Sequence, residues 1–429
     1  MTMGTSNKSE ILNKGAGVFL IRVIGYGAGF LFVWVVANKF GPKIQGIFSI
    51  AFLFLSVGAM VAKFGIETAL VKWIANASTL DQKKGVYLKS IKLVSISSVL
   101  VGGTIYLLAG AIAWMYDKPD LKESIEYASM AIPFLALLDV SGSFFRGERR
   151  IKIFGIYFHF LKFLLPLLFV TAFFLAGGLF NEAPILAYLM GLFLAAFSII
   201  THIGVELRHR GNEVESQFTI RFMVLESYPM MVSSAIVMIM GWSDVFVLGF
   251  YVSMSNIGVY STAIKLATMV SFVYNAIATI ATPKIAAFYN SKDRMQLEET
   301  ISYSSKIMFL SGIPMFLAIF CFPEFFLSFF GEEYVAGKHV LRILLLAQLT
   351  NVVTGPVGPI MQMTGKQRKL QRFIAIALFV NVALSLILVV FYETVGVAIA
   401  NALGMVLWNV LGMLYIRKKL KLKTYYSFK

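Results

Sequence analysis

With a single cysteine, Cys321, in 429 residues, the chain has no intrachain disulfide framework and no site built on paired cysteines. Charge is equally scarce. Asp, Glu, Lys and Arg make up 14% of the chain, against roughly a quarter in soluble domains. No polar stretch is long enough to form a separate soluble domain. The four histidines are scattered, none paired beside carboxylates at ligand spacing, so neither a metal site nor a cofactor is expected. Nucleotide chemistry is excluded as well. The stretch from Gly331 to His339 has one residue too many between its glycines for a phosphate-binding loop, and it puts histidine where Ser or Thr should hold magnesium. Gly25, Gly27 and Gly29 lie inside an apolar run with no preceding strand, so they make no dinucleotide fingerprint. No catalytic triad is apparent, and an enzyme is not expected.

What the chain has in abundance is apolar sequence, 58% of it. A helix needs about 20 apolar residues to cross a bilayer core. Twelve such runs stand out, at 15–38, 44–71, 93–115, 124–145, 153–176, 184–205, 222–250, 257–281, 307–322, 339–363, 373–392 and 396–416. An all-α integral membrane protein of twelve transmembrane helices follows, and an even number places both termini on one side.

The net charge of +16 suggests nucleic acid until its positions are read. Of the 38 Lys and Arg, 28 lie at the two termini and after runs 2, 4, 6, 8 and 10. This is the positive-inside pattern, so both termini are expected in the cytoplasm, with membrane lipids and no nucleic acid as partners.

The two halves echo one another. Gly46-Ile47-Phe48-Ser49-Ile50-Ala51 opens run 2 and Gly258-Val259-Tyr260-Ser261-Thr262-Ala263 opens run 8. Two parallel six-helix lobes, residues 1–212 and 213–429, are therefore expected around a central cavity.

Residues 38–75, with Gly41-Pro42, Gly46, Phe64-Gly65 and Thr68-Ala69, resemble the first signature of the polysaccharide transporter family. The stretch from Asp244 to Pro283, with Gly258-Val259-Tyr260 and Lys265, resembles its second. A third likeness runs from Gly365 through Asn381 to Gly396 and Ala400. The resemblance implies the multidrug/oligosaccharidyl-lipid/polysaccharide (MOP) exporter superfamily. It further implies a flippase that carries undecaprenyl-diphosphate-linked oligosaccharide across the cytoplasmic (inner) membrane by alternating access, for O-antigen, capsule or exopolysaccharide. A glycan polymerase and glycosyltransferases are candidate partners. A cation-coupled multidrug exporter of the same superfamily is one alternative, and a membrane glycosyltransferase or polymerase another.

An ionisable residue at the centre of a membrane helix costs about 2.5–3.5 kcal/mol, so each needs a partner, water or a function. Arg22, Lys63, Lys162 and Lys265 are the expected ligands of the polyprenyl-diphosphate headgroup, since diphosphate needs Arg or Lys in a wet cavity. Asp244, Asp139 and Glu67 are candidates for ion coupling or gating. Lys63 and Glu67 are spaced to pair on one helix face. Asp244 and Lys265, on consecutive helices at similar depth, suggest a salt bridge, and Lys162 has Asp139 on the preceding helix. Glu226 is expected to reach towards water at the membrane edge. Pro229, Gly355 and Pro356 are candidate hinges because they interrupt helical hydrogen bonding. Asn351, Asn381, Asn401 and Asn409 read as hydrogen-bonding glue between helices, and Gly25 with Gly29 as a close-packing face.

Overall fold

The computed structural model describes residues 4–178, 180–208 and 218–426, with side chains from residue 20 onwards. Its helices are α1 (Gly4–Val35), α2 (Gly41–Lys63), α3 (Ile66–Asn76), α4 (Leu80–Met115), α5 (Leu121–Gly147), α6 (Ile151–Gly155), α7 (Lys162–Leu175), α8 (Ala183–Arg208), α9 (Ile220–Tyr251), α10 (Met254–Asn290), α11 (Arg294–Cys321), α12 (Pro323–Ser328), α13 (Lys338–Thr354), α14 (Val357–Met363) and α15 (Gln367–Tyr415). Wider π-helical turns at Val36–Phe40 and Ile156–Leu161 join α1 to α2 and α6 to α7.

Among the described residues nine helices are long and apolar enough to cross a membrane, or ten if the bent pair α13–α14 counts as one span. Their outer faces are apolar, with Leu107 and Trp114 each 84% exposed, which hydrocarbon accepts and water does not. The chain is a multi-pass membrane protein.

Two of the nine spans run much farther than one bilayer crossing. Leu20–Lys63 has 44 residues and Gln367–Leu420 has 54, or about 66 and 81 Å at 1.5 Å per residue, against a core of about 30 Å. Each is interrupted. Gly41 has φ +83°, and Glu393 has φ 46° and ψ −126°, so the chain turns at both places. The expected hinge at Gly355-Pro356 coincides with a 49° bend between α13 and α14, Gly355 taking φ +72°. At Pro229, by contrast, α9 continues unbroken.

The chain divides into two compact units, Met1–Phe40 with Ile47–Ala235, and Gly41–Gly46 with Ile236–Lys429. The boundary expected between residues 212 and 213 falls outside the described residues. In the first unit the core is built from small residues that let helices approach closely. Ala128, Ala131, Ala136 and Ser141 of α5 are fully buried. Tyr87 on α4 is hydrogen-bonded to Ser141 at 3.0 Å, and the Ser97 hydroxyl donates to the Ala62 carbonyl at 2.6 Å. Gly25 packs against the His159 backbone and Gly29 against the Phe163 ring, the close contacts that their spacing predicts. A capping box starts α4, the Thr79 hydroxyl accepting from the Gln82 amide at 3.2 Å.

In the second unit one apolar cluster joins Ile285, Ile301, Val357, Ile360, Ile416 and Leu422. Residues 41–46 lie across the start of α10, which Ser253 caps by accepting from the Asn256 amide at 3.2 Å.

Candidate functional site

In the first unit the chain breaks between Lys63 and Glu67. Phe64 and Gly65 both adopt left-handed conformations, with φ 50° and 77°, so α2 ends at Lys63 and α3 starts at Ile66. The pair expected on one helix face does not form. Lys63 turns instead to Asp139 of α5, donating to Oδ2 at 2.6 Å, while Lys162 at the head of α7 donates to Oδ1 at 3.2 Å. These side chains are only 10–14% exposed. Two ammonium groups therefore share one buried carboxylate. The Lys162 ammonium also lies 4.5 Å from the centre of the Phe158 ring, where the π face favours a cation. Glu67 has one buried carboxylate oxygen without a hydrogen-bond partner, and Arg22 sits half-buried on α1.

An aromatic group that sequence reasoning missed lies in the same unit. Tyr188 of α8 touches the rings of Phe32 and Phe52 at 5.5 and 5.0 Å between centres. Its hydroxyl is buried without a hydrogen-bond partner. Only the four-residue spacing of Phe48 and Phe52 hinted at such a face.

Glu226 is not simply reaching for water. It accepts from Lys72 Nζ at 2.7 Å and from the Trp73 indole at 2.8 Å, which ties the start of α9 to α3. Between the end of α5 and α8, Arg150 donates to both oxygens of Glu206 at 2.6 and 2.7 Å. Those hydrogen bonds hold the guanidinium protonated beyond its ordinary range.

In the second unit Asp244 is 1% exposed and is surrounded by neutral donors. Tyr260 Oη donates to Oδ2 at 2.7 Å, Asn401 Nδ2 to Oδ2 at 2.6 Å and Asn381 Nδ2 to Oδ1 at 3.4 Å. The expected bridge to Lys265 does not form, because Lys265 projects from a different side of α10 from Tyr260. Among the described residues Lys265 has neither an ion pair nor a hydrogen-bonded side-chain partner. The four asparagines singled out in the sequence all bond between helices: Asn409 donates to Asn351 at 2.9 Å, and Asn351 reaches Ser271 at 3.4 Å.

The family model described as polysaccharide biosynthesis protein matches residues 11–289, which is well over half the chain. The chain belongs to that family. It is thereby placed in the MOP superfamily of transporters, and it is not an enzyme. A second model, MatE, matches residues 229–387. A curated relative from Haloferax volcanii, named a probable low-salt glycan biosynthesis flippase, Agl15, is 25% identical over 97% of this chain and 86% of its own length. Among solved structures, the lipid II flippase MurJ in an inward closed conformation matches with TM-score 0.76 at 16% identity, covering 94% of this chain and 87% of that one. An inward-facing multidrug resistance MATE transporter matches with TM-score 0.73 at 17% identity, covering 94% and 98%. The fold is that of the MOP transporters.

Proposed function

We propose that the protein is a flippase that carries an undecaprenyl-diphosphate-linked oligosaccharide from the inner to the outer leaflet of the cytoplasmic membrane, serving O-antigen, capsule or exopolysaccharide assembly. The observation that carries the reading is the excess of buried cations: Lys63 and Lys162 on the single carboxylate of Asp139, and Lys265 with no acid of its own. Basic groups held away from bulk water suit a diphosphate, whose negative charges offset the cost of keeping them there. Arg22 completes the proposed headgroup set.

The topology in this reading has twelve spans in two six-helix lobes, divided near residues 212 and 213, with both termini in the cytoplasm and alternating access to a central cavity. It is supported by the turns at Gly41 and Glu393, each of which divides an over-long helix into two lengths sufficient to cross. Gly355-Pro356, at the 49° bend between α13 and α14, is the hinge in this reading, and Pro229, which α9 passes without a break, is the second candidate. An inside-negative potential favours outward movement of each negative charge by about 2.3 kcal/mol per 100 mV, so no nucleotide site is needed. Asp244 and Asp139, with Glu67, are the groups through which an ion gradient would act.

The second reading, a cation-coupled drug exporter, draws on the MatE match over residues 229–387. It requires carboxylates that outnumber cations at the site, the reverse of the arrangement around Asp139. The two are separated by Arg22→Ala and Lys265→Ala in the native host. Surface glycan should be lost while the variant proteins remain folded in the membrane; full surface glycan in both would overturn the headgroup assignment.

A further inference from the structure

A cavity of about 550 Å³ opens between α11, α13 and the end of α15 in the second unit, within the range of about 300–1,000 Å³ usual for ligand sites. Leu346, Val353, Val410 and Met413 line its apolar part. Leu346 and Val353 are 48% and 42% exposed, so the groove opens outward on the flank of α13. At its mouth stand Arg417, Tyr425 and Tyr426.

The mouth is built by a segment that folds back after α15. Arg294 donates to the Lys421 carbonyl at 3.0 Å, and the Ser305 hydroxyl donates to the Thr424 carbonyl at 2.5 Å. Leu422 is buried in the apolar cluster, and Tyr426 packs on Phe309 with ring centres 5.7 Å apart. The Thr424 carbonyl also rests against Gly355, where any Cβ would displace it. Residues 417–426 include five basic and no acidic side chains, and among the described residues Arg417 has no ion-pair or hydrogen-bond partner.

We propose that this groove holds one hydrocarbon chain of an anionic phospholipid, with its phosphate on Arg417 beside the two tyrosines. The groove follows α13 from Leu346 to Thr354, about 12 Å, which keeps it within one leaflet of a core about 30 Å thick. That length suits an acyl chain whose headgroup lies at the basic edge, and it is short for a polyprenyl tail. Tyrosine and arginine at that level are the residues that favour the headgroup region, and a cation cluster without acids selects anionic lipid. Because the same segment touches Gly355 at the bend between α13 and α14, the lipid would brace the proposed hinge from outside the transport path.

The test is native mass spectrometry of the full chain in detergent, with phosphatidylglycerol or phosphatidylcholine of identical acyl chains added. Phosphatidylglycerol should remain bound to the wild type and to Lys418→Gln, whose side chain does not line the groove. Val353→Trp, which fills the groove, and Arg417→Gln, which removes the phosphate ligand at an exposed position, should each reduce that adduct at least fivefold. Thermal unfolding of both variants checks that they are folded. Retention at the wild-type level in Arg417→Gln would overturn the proposal. So would equal retention of phosphatidylcholine, or displacement of phosphatidylglycerol from the wild type by an equimolar polyprenyl phosphate.

Discussion

Gly46 and Gly258, the opening residues of the two echoing motifs, pack against each other backbone to backbone. A Cβ on Gly46 would meet the Met254 carbonyl and the Gly258 amide, and one on Gly258 would meet the Pro42 carbonyl and the Gly46 amide. The contact is reciprocal, so the sequence echo has a physical reason: each copy supplies the absence of a side chain that the other needs. Gly46→Ala and Gly258→Ala should each destabilise the protein by about 1–3 kcal/mol through overpacking. Combined, they should cost less than their sum, because one separation of the helices makes room for both methyl groups. Gly27→Ala is the control, since nothing lies within 4 Å of its Cβ position. Thermal unfolding of the four variants in detergent measures all of this.

Removing a carboxylate that serves two cations should cost more than removing either cation. Asp139→Asn leaves Lys63 and Lys162 buried without an acid, with an expected loss of about 3–5 kcal/mol. Lys162→Met leaves Asp139 its shorter contact, to Lys63 at 2.6 Å, and should cost less. The double variant Asp139→Asn with Lys162→Met should recover part of the loss. If Asp139→Asn unfolds at the wild-type temperature, the shared carboxylate does not hold the two lysines.

Asp244→Asn should be milder than Asp139→Asn, although Asp244 is the more buried. Its partners are neutral donors, so no orphaned charge remains and the amide oxygen can still accept from Tyr260 and Asn401. Tyr260→Phe removes a donor from a buried acceptor and should cost about 1–3 kcal/mol in the wild type. Comparing Tyr260→Phe in the wild-type and Asp244→Asn backgrounds isolates the bond.

At Glu393 the chain takes φ 46° and ψ −126°, a conformation that side chains with a Cβ resist at a cost of about 1–3 kcal/mol. Glu393→Gly should therefore raise the unfolding temperature, while Glu393→Ala should leave it unchanged or lower.

Outside the spans, Lys338 donates to Glu324 at 2.8 Å and that hydrogen bond holds the carboxyl below its ordinary range. A depressed folded pKa gives stability that is present above the unfolded value, about 4.3, and is lost as pH falls through the folded one. The effect is small because both groups are exposed. The difference in unfolding temperature between wild type and Glu324→Gln should be present at pH 6 and shrink towards zero in stronger acid.

The membrane class and the asparagine contacts were legible in the sequence, because hydropathy and helix-to-helix hydrogen bonding leave local marks. Helix continuity was not. Apolar runs say where the chain can enter lipid but not how one helix passes into the next: α1 runs through a π-helical turn into α2 at Gly41, and only the non-helical Glu393 parts the last two runs. The buried charges divide in the same way. Lys162 with Asp139 is a pairing that their positions on neighbouring helices suggested, whereas Lys63 with Glu67 required a continuous helix that the turn at Phe64-Gly65 removes. Asp244 with Lys265 rested on depth alone, and depth does not fix the direction in which a side chain leaves its helix. Glu226 found Lys72 and Trp73 about 150 residues earlier in the chain, a distance over which no sequence pattern reports contact.

Two lysines on one aspartate also bear on what the protein must refuse. A carrier that opens a wet path for a bulky sugar risks letting sodium, potassium or hydronium run down their gradients through the same water. A fixed surplus of positive charge in low dielectric repels small cations at the place where it attracts phosphate. In the proposed function, the Lys63–Asp139–Lys162 cluster would therefore be an electrostatic seal, letting the membrane keep its potential while the cargo passes.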